Sequence, residues 1–260
     1  MENRAAPPAS IVTGPSAWRV GTVAGIITET PRVHTLVLDV PEWPGHRAGQ
    51  HVDVRLTADD GYQTERSYSI ASPPEEPRVS LTVERLEEGE VSSYLVGELR
   101  VGDPLELRGP IGGHFVWGVN DGGPLLLVAG GSGIVPLMAM LRHRAAASDD
   151  VRRATPARLL YSSRSWSGMI YRDELARFAA DDPSLEVVHT ITREPPLGWM
   201  GYHRRIDRAM LDENSWPPAS RPHLFVCGPT PLVETVAEGL VSLGHHPESV
   251  RTERFGPTGS

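Results

Sequence analysis

Between residues 19 and 107 the apolar positions come in short bursts broken by turn-forming residues. Residues 19–28, 33–40 and 51–57 are rich in Val, Ile, Leu and Thr with partial period-two alternation, and 78–86 and 104–107 read the same way. Pro, Gly, Asp and Ser clusters at 41–44, 58–61, 72–77 and 102–104 separate them. Many short strands at this spacing predict an antiparallel β-barrel or sandwich. One helix is expected inside it, over 92–98, with Ser92 as its N-cap after the Gly89 turn.

After about Trp117 the pattern changes. Residues 125–129 form an unbroken apolar run, as in a parallel strand buried on both faces. Helices are then expected over 134–147, 171–180, 206–211 and 232–243, and strands over 157–162, 185–192, 223–227 and 250–255. Strand and helix alternate, which predicts an α/β doubly wound parallel sheet. The chain therefore divides into an Ala/Pro/Ser-rich tail over 1–17, a barrel domain over 18–119 and an α/β domain over 120–260, with a hinge at 120–123.

Composition narrows the chemistry. All 25 basic residues are arginine, which excludes Schiff-base and lysine-nucleophile chemistry and a Walker-type phosphate loop. The net charge of −8 does not point to nucleic acid. Cys227 is the one cysteine, too few for an intrachain disulfide or a four-cysteine iron–sulfur cluster. No stretch reaches the roughly 20 apolar residues of a membrane span. The first 16 residues lack an apolar signal core, so a cytoplasmic location is expected.

Five segments carry candidate chemistry. The first, residues 125–136, runs a buried strand through Gly130, Gly131, Ser132 and Gly133 into a helix, the arrangement that brings amides and a helix dipole to a pyrophosphate. A plain glycine-rich strand–helix turn is the lesser alternative on this motif alone. At the second, where the next strand ends, Ser163 and Arg164, with Arg172 beyond, suit a ribose 2′-phosphate better than a free 2′-hydroxyl. The third, Arg66-Ser67-Tyr68-Ser69-Ile70-Ala71-Ser72, offers a phosphate-binding guanidinium, a stacking ring and hydroxyls. The fourth, the Gly89 turn, opens onto a helix N-terminus at Val91, Ser92 and Ser93, which serves an anion or only caps the helix. In the fifth, Cys227-Gly228-Pro229 closes a sheet strand at its carboxyl end, where ligand crevices lie.

In this order the five segments resemble the ferredoxin–NADP⁺ reductase superfamily, over about residues 18–256. The resemblance implies an antiparallel flavin-binding barrel followed by a parallel nucleotide-binding domain. It implies that Arg66 contacts the FAD pyrophosphate, Tyr68 stacks on the isoalloxazine, Ser69 lies near its N5, and Ser67 belongs to the same signature strand. Thr82, Val83 and Glu84 would line the adenosine side, and Val91, Ser92 and Ser93 would give amides to the pyrophosphate. Gly131, Ser132 and Gly133 would cradle NADPH, with NADH as the other donor, and Ser163, Arg164 and Arg172 would meet the 2′-phosphate. Cys227, Gly228 and Pro229 would stand beside the nicotinamide. Glu253 would bond the nicotinamide or relay protons, and Phe255 would cover the flavin face opposite Tyr68. Relatives with this ending often continue into a plant-type ferredoxin domain. With one cysteine here, the acceptor is expected to be external: a separate ferredoxin or an oxygenase component. A small-molecule reductase and a non-catalytic FAD-binding regulatory module are the other readings.

Overall fold

The structure, a computed structural model, describes residues 17–255. The tail expected over 1–17 lies outside them except for Ala17. Six antiparallel strands form the first half: β1 (Trp18–Thr30), β2 (Val33–Asp39), β3 (His51–Thr57), β4 (Gln63–Ser69), β5 (Val79–Glu84) and β6 (Pro104–Ile111), in the order β4-β3-β6-β1-β2-β5. The period-two pattern sets which side faces in. Val52 and Val54 of β3, Leu36 and Leu38 of β2 and Leu81 and Val83 of β5 are all fully buried in one core.

The two end strands of this sheet, β4 and β5, meet only near their ends, through an Ile70–Leu81 bridge and the Ala71 N–H donated to the Ser80 carbonyl at 2.7 Å. Beyond that bridge the barrel stays open as a seam with unpaired strand edges. Helix α1 (Glu90–Gly97) packs against both strands. Its N-cap is Gly89, not Ser92 as the sequence suggests. A Cβ at position 89 would lie 2.4 Å from Ser92 Oγ, so glycine lets the helix begin earlier. Ser92 Oγ then sits inside the first turn, accepting the Leu86 N–H at 3.1 Å and donating to the Gly89 carbonyl at 3.2 Å.

The second half is a parallel sheet of β7 (Leu125–Gly130), β8 (Ala157–Ser165), β9 (Leu185–Glu194), β10 (His223–Pro229) and β11 (Val250–Phe255), in the order β11-β10-β7-β8-β9. Its helices are α2 (Ile134–Ala145), α3 (Asp149–Ala154), α4 (Arg172–Asp181), α5 (Arg208–Asn214) and α6 (Thr230–Ser242). The short, charged α3 shows no apolar periodicity and was not expected. Helix α5 starts two residues later than expected because Asp207 caps it, accepting the Met210 N–H at 2.8 Å. Every residue of β7 is buried. Leu125, Leu127 and Ala129 pack with α2, and Leu126 and Val128 pack with α5 and α6. The strand order reverses between β7 and β10, which places the ligand crevice at their carboxyl ends.

One apolar core crosses from half to half. Val33, Ala48, Ala71, Phe115 and Trp117 from the barrel side join Leu127, Ile134, Leu137 and Met140. Gly49, at φ +98°, permits this approach, since a Cβ there would lie 2.8 Å from Cε of Met140 in α2 and 1.9 Å from the Phe115 carbonyl oxygen on its own side. A buried apolar interface of this kind holds the two sheets in one arrangement. No helix among the described residues is long and apolar enough to cross a membrane.

Candidate functional site

Strand β4 carries the first group of side chains. Arg66 is exposed, makes no ion pair among the described residues, and donates only to its neighbour's carbonyl, Glu65 O, at 2.6 Å. Tyr68 lies half-buried against the barrel core, and burial pushes its phenol up to about 12. Ser69 is half-buried and its hydroxyl has no partner among the described residues. Ser67 points to the other face, where Oγ donates to Asp53 Oδ1 at 2.7 Å, beside the Arg108–Asp53 pair at 2.7 Å. Its hydroxyl is therefore engaged on the face away from Arg66 and Tyr68. Ser72 Oγ accepts the Ser80 N–H at 3.0 Å and anchors the strand's exit.

Across the seam, Val83 is inside the barrel core and Glu84 is half-exposed. The Thr82 hydroxyl is bonded to Thr35 Oγ1 at 2.7 Å and to the Tyr171 hydroxyl, so it turns away from the seam toward the second half. At α1, the Ser93 N–H closes the first turn on Gly89 O at 2.9 Å and its hydroxyl donates to Leu86 O at 3.2 Å. That leaves the Glu90, Val91 and Ser92 amides as the unpaired donors of this terminus.

The glycine loop follows β7. Gly131 has φ +54° and faces open space, and the Ser132 hydroxyl has no partner among the described residues. Gly133 is packed against β10: a Cβ would lie 2.2 Å from the Cys227 carbonyl oxygen and 2.8 Å from the Gly228 nitrogen. The loop lies against β5, β10 and β11 together. It therefore brings the head of α2 to the end of the barrel seam.

Cys227 stands in β10 between Ala129 of β7 and Glu253 of β11. Burial, then the Glu253 carboxylate, pushes its thiol up, so it is a neutral apolar wall. Glu253 is half-buried without a hydrogen-bond partner among the described residues, and burial pushes its carboxyl up to about 7. Gly228 and Pro229 finish β10, and Phe255 lies opposite Pro229 at the end of β11, half-buried against the shared core. Sequence reasoning missed Arg251. It donates to the Val116 carbonyl at 2.8 Å and lies 5.1 Å over the Phe225 ring, tying β11 to the barrel side. Only register placed it there.

At the end of β8 the three residues expected at the 2′-phosphate differ. Ser163 Oγ donates to Ser165 O at 3.0 Å, and Arg172 pairs with Asp173 at 2.9 Å and lies over Trp166. Arg164 is exposed and makes no ion pair among the described residues. Beside it stand Trp166 and Trp199, ring centroids 5.5 Å apart, which no sequence motif joined. A cavity of about 900 Å³ lies elsewhere: Glu29, Thr35, Arg142 and Tyr171 line it, and neither Cys227 nor Glu253 does.

The residues fit an extended flavin dinucleotide. An open seam, an uncommitted guanidinium, three unpaired amides, a half-buried aromatic ring and a free hydroxyl are what its pyrophosphate and flat ring require.

The sequence comparisons agree. Residues 24–117 match the oxidoreductase FAD-binding domain family and residues 127–238 the oxidoreductase NAD-binding domain family. The chain is 31% identical over 197 residues to NADH-cytochrome b5 reductase 1 of Lodderomyces elongisporus, covering 75% of this chain and 64% of that protein. It is 32% identical over 238 residues to the glycine betaine monooxygenase reductase subunit of Chromohalobacter salexigens, covering 90% of this chain and 63% of that one. It thus spans under two thirds of the length of both relatives. In fold it is similar to the FAD/NAD-binding domain of a nitric oxide dioxygenase from Vibrio cholerae, with a TM-score of 0.79 at 22% identity over 92% of this chain and 99% of that one. The chain belongs to the oxidoreductases that join an FAD-binding domain to an NAD-binding domain.

Proposed function

We propose that the barrel, residues 18–119, holds FAD along the seam between β4 and β5, that residues 120–260 hold NADPH (or, less well, NADH), and that electrons leave singly to an external carrier. The observation that supports this most is the Gly131–Gly133 loop lying against β5, β10 and β11 at once. It sets the nucleotide-binding end of α2 beside the open seam.

FAD, when bound, supplies the conversion of a two-electron hydride donor into single electrons. The chain's own residues bind and orient. Arg66 and the Val91 and Ser92 amides balance the flavin-side pyrophosphate, while the amides at the head of α2 serve the other dinucleotide. Tyr68 and Phe255, both half-buried, would supply the aromatic surfaces against which the flat ring rests. Ser69 presents a hydroxyl donor. Cys227 excludes water from the hydride path, and Glu253 holds a proton beside it near neutral pH.

Purified protein should show flavin bands near about 370 and 450 nm that bleach anaerobically with NADPH. A protein that takes up no FAD overturns the reading, and one that stays yellow with NADPH is a binding module. Arg164 is exposed and without an ion pair among the described residues, so Arg164→Ala should narrow the NADPH-over-NADH ratio of kcat/KM by about 10-fold, the worth of one charge-assisted contact. An unchanged ratio places the 2′-phosphate elsewhere.

The acceptor we propose is a separate ferredoxin or an oxygenase component. The lone cysteine supports this, since these 260 residues cannot ligate a four-cysteine cluster. The relatives are named as reductases of cytochrome b5 and of a monooxygenase. Turnover should require an added one-electron carrier protein. Equal turnover with ferric chelates, quinones or free flavin alone makes the chain a small-molecule reductase.

A further inference from the structure

The C-terminal turn of α2 grips the barrel where the flavin strand leaves it. Arg142 is mostly buried and forms a two-pronged pair with Glu174 of α4, at 2.9 and 2.7 Å. Its remaining nitrogen donates to the Ala71 carbonyl at 2.8 Å, two residues beyond Ser69. Its guanidinium also lies 4.7 Å over the ring of Tyr171. Tyr171 is buried in the left-handed region at φ 58°, a conformation that its surroundings must hold in place. Its hydroxyl donates to Thr82 of β5. The next residue of α2 adds a second grip: one ring nitrogen of His143 accepts the Val119 N–H at 3.2 Å, and the other lies 2.6 Å from Glu75, in the loop after Ala71.

The other end of the same helix is the glycine loop. From Gly133 to Arg142 is nine residues, roughly 14 Å of α-helix. Helix α2 is therefore a strut with the nucleotide loop at its head and the exit of the flavin strand at its foot. We propose that Arg142 is a positioning residue for hydride transfer: by holding the foot of α2 to Ala71, it fixes the separation of the bound nicotinamide and the flavin. This rests on the proposed function and adds to it a residue that touches neither cofactor. A planar fork suits the task, because it satisfies Glu174 with two parallel bonds and keeps a third direction for Ala71.

The test compares Arg142→Met and Arg142→Lys with the parent protein in anaerobic stopped flow, after measuring FAD per chain. FAD content and the apparent KM for NADPH should be unchanged. Flavin reduction should slow about 10–100-fold in Arg142→Met, the scale of a misplacement near 1 Å. The long-wavelength charge-transfer absorbance on mixing should fall, and the primary isotope effect with 4-deuterated NADPH should rise. Arg142→Lys, which keeps the charge without the fork, should lie between and covers a Met variant that does not fold. A variant with a lower melting temperature but an unchanged isotope effect and charge-transfer amplitude overturns the proposal, since a purely structural residue gives that result. A parent protein that neither binds FAD nor bleaches with NADPH refutes the proposed function instead.

Discussion

Alanine at position 133 should abolish reduction by pyridine nucleotide while leaving the flavin bound. The added Cβ would lie 2.2 Å from the Cys227 carbonyl oxygen and 2.5 Å from its carbon, and both are backbone atoms of a central strand. Neither a rotamer change nor a flexible side chain can relieve that contact. The loop must move off β10 by about 1 Å, and the head of α2 moves with it. Overpacking of this kind costs about 1–3 kcal/mol, which a domain can survive. A 1 Å displacement at a reacting centre costs about 10²-fold in rate. Strand β4 and the head of α1 do not pack against the loop, so FAD content should match the parent while anaerobic bleaching by NADPH slows by at least that factor. Gly45→Ala is the control: it also has positive φ, at +80°, but has nothing within 4 Å, so it should lose stability and keep its bleaching rate. A Gly133→Ala protein that bleaches at the parent rate would show that the loop does not hold the nucleotide.

The second large effect concerns Glu253. Burial without a hydrogen-bond partner pushes its carboxyl up to about 7, against an ordinary value near 4.5. The folded state therefore binds more protons than the unfolded chain between these values. Stability is fully present below about 4.5 and is lost as pH rises through about 7. The full shift corresponds to roughly 3 kcal/mol as an upper bound. Glu253→Gln removes the buried charge. Its melting temperature should exceed the parent's at pH 8 and converge with it below pH 5. The parent's flavin reduction rate should show an ionisation near pH 7, and Glu253→Gln should lose it. Parallel melting curves for the two proteins across this range would mean that Glu253 is solvated and ordinary. More stable but less responsive is the pattern expected where a strained group serves function.

The fold was legible because both halves repeat a local period. Alternation in β2 and β3 and unbroken apolar runs in β7 and β10 announce which strands have one buried face and which have two. The motif residues that depend on backbone were legible for a similar reason: Gly133 is required wherever a strand–glycine–helix turn meets a neighbouring strand. Side-chain commitments were not. Ser67, Thr82, Ser163 and Arg172 fit the expected site by position, yet each is engaged by a partner: Asp53, Thr35 with Tyr171, the Ser165 carbonyl, and Asp173. A hydroxyl or guanidinium turns to whatever lies nearest in space, and spacing along the chain does not say what that is.

By itself, then, the sequence determined two architectures, the glycine loop, the arginine-only supply of cations and the absence of a second cysteine. These follow from residue type and local period. The tertiary structure decided which of the candidate groups remain free, and it alone joined Arg142 to Ala71, Arg251 to Val116 and Glu253 to a site without a partner. Those relations link residues 71, 135 and, for Cys227 and Glu253, 26 positions apart. The first two exist only once two independently patterned sheets are pressed together, and the third only once β10 and β11 pair, because burial and partner choice belong to the packed structure and not to either segment.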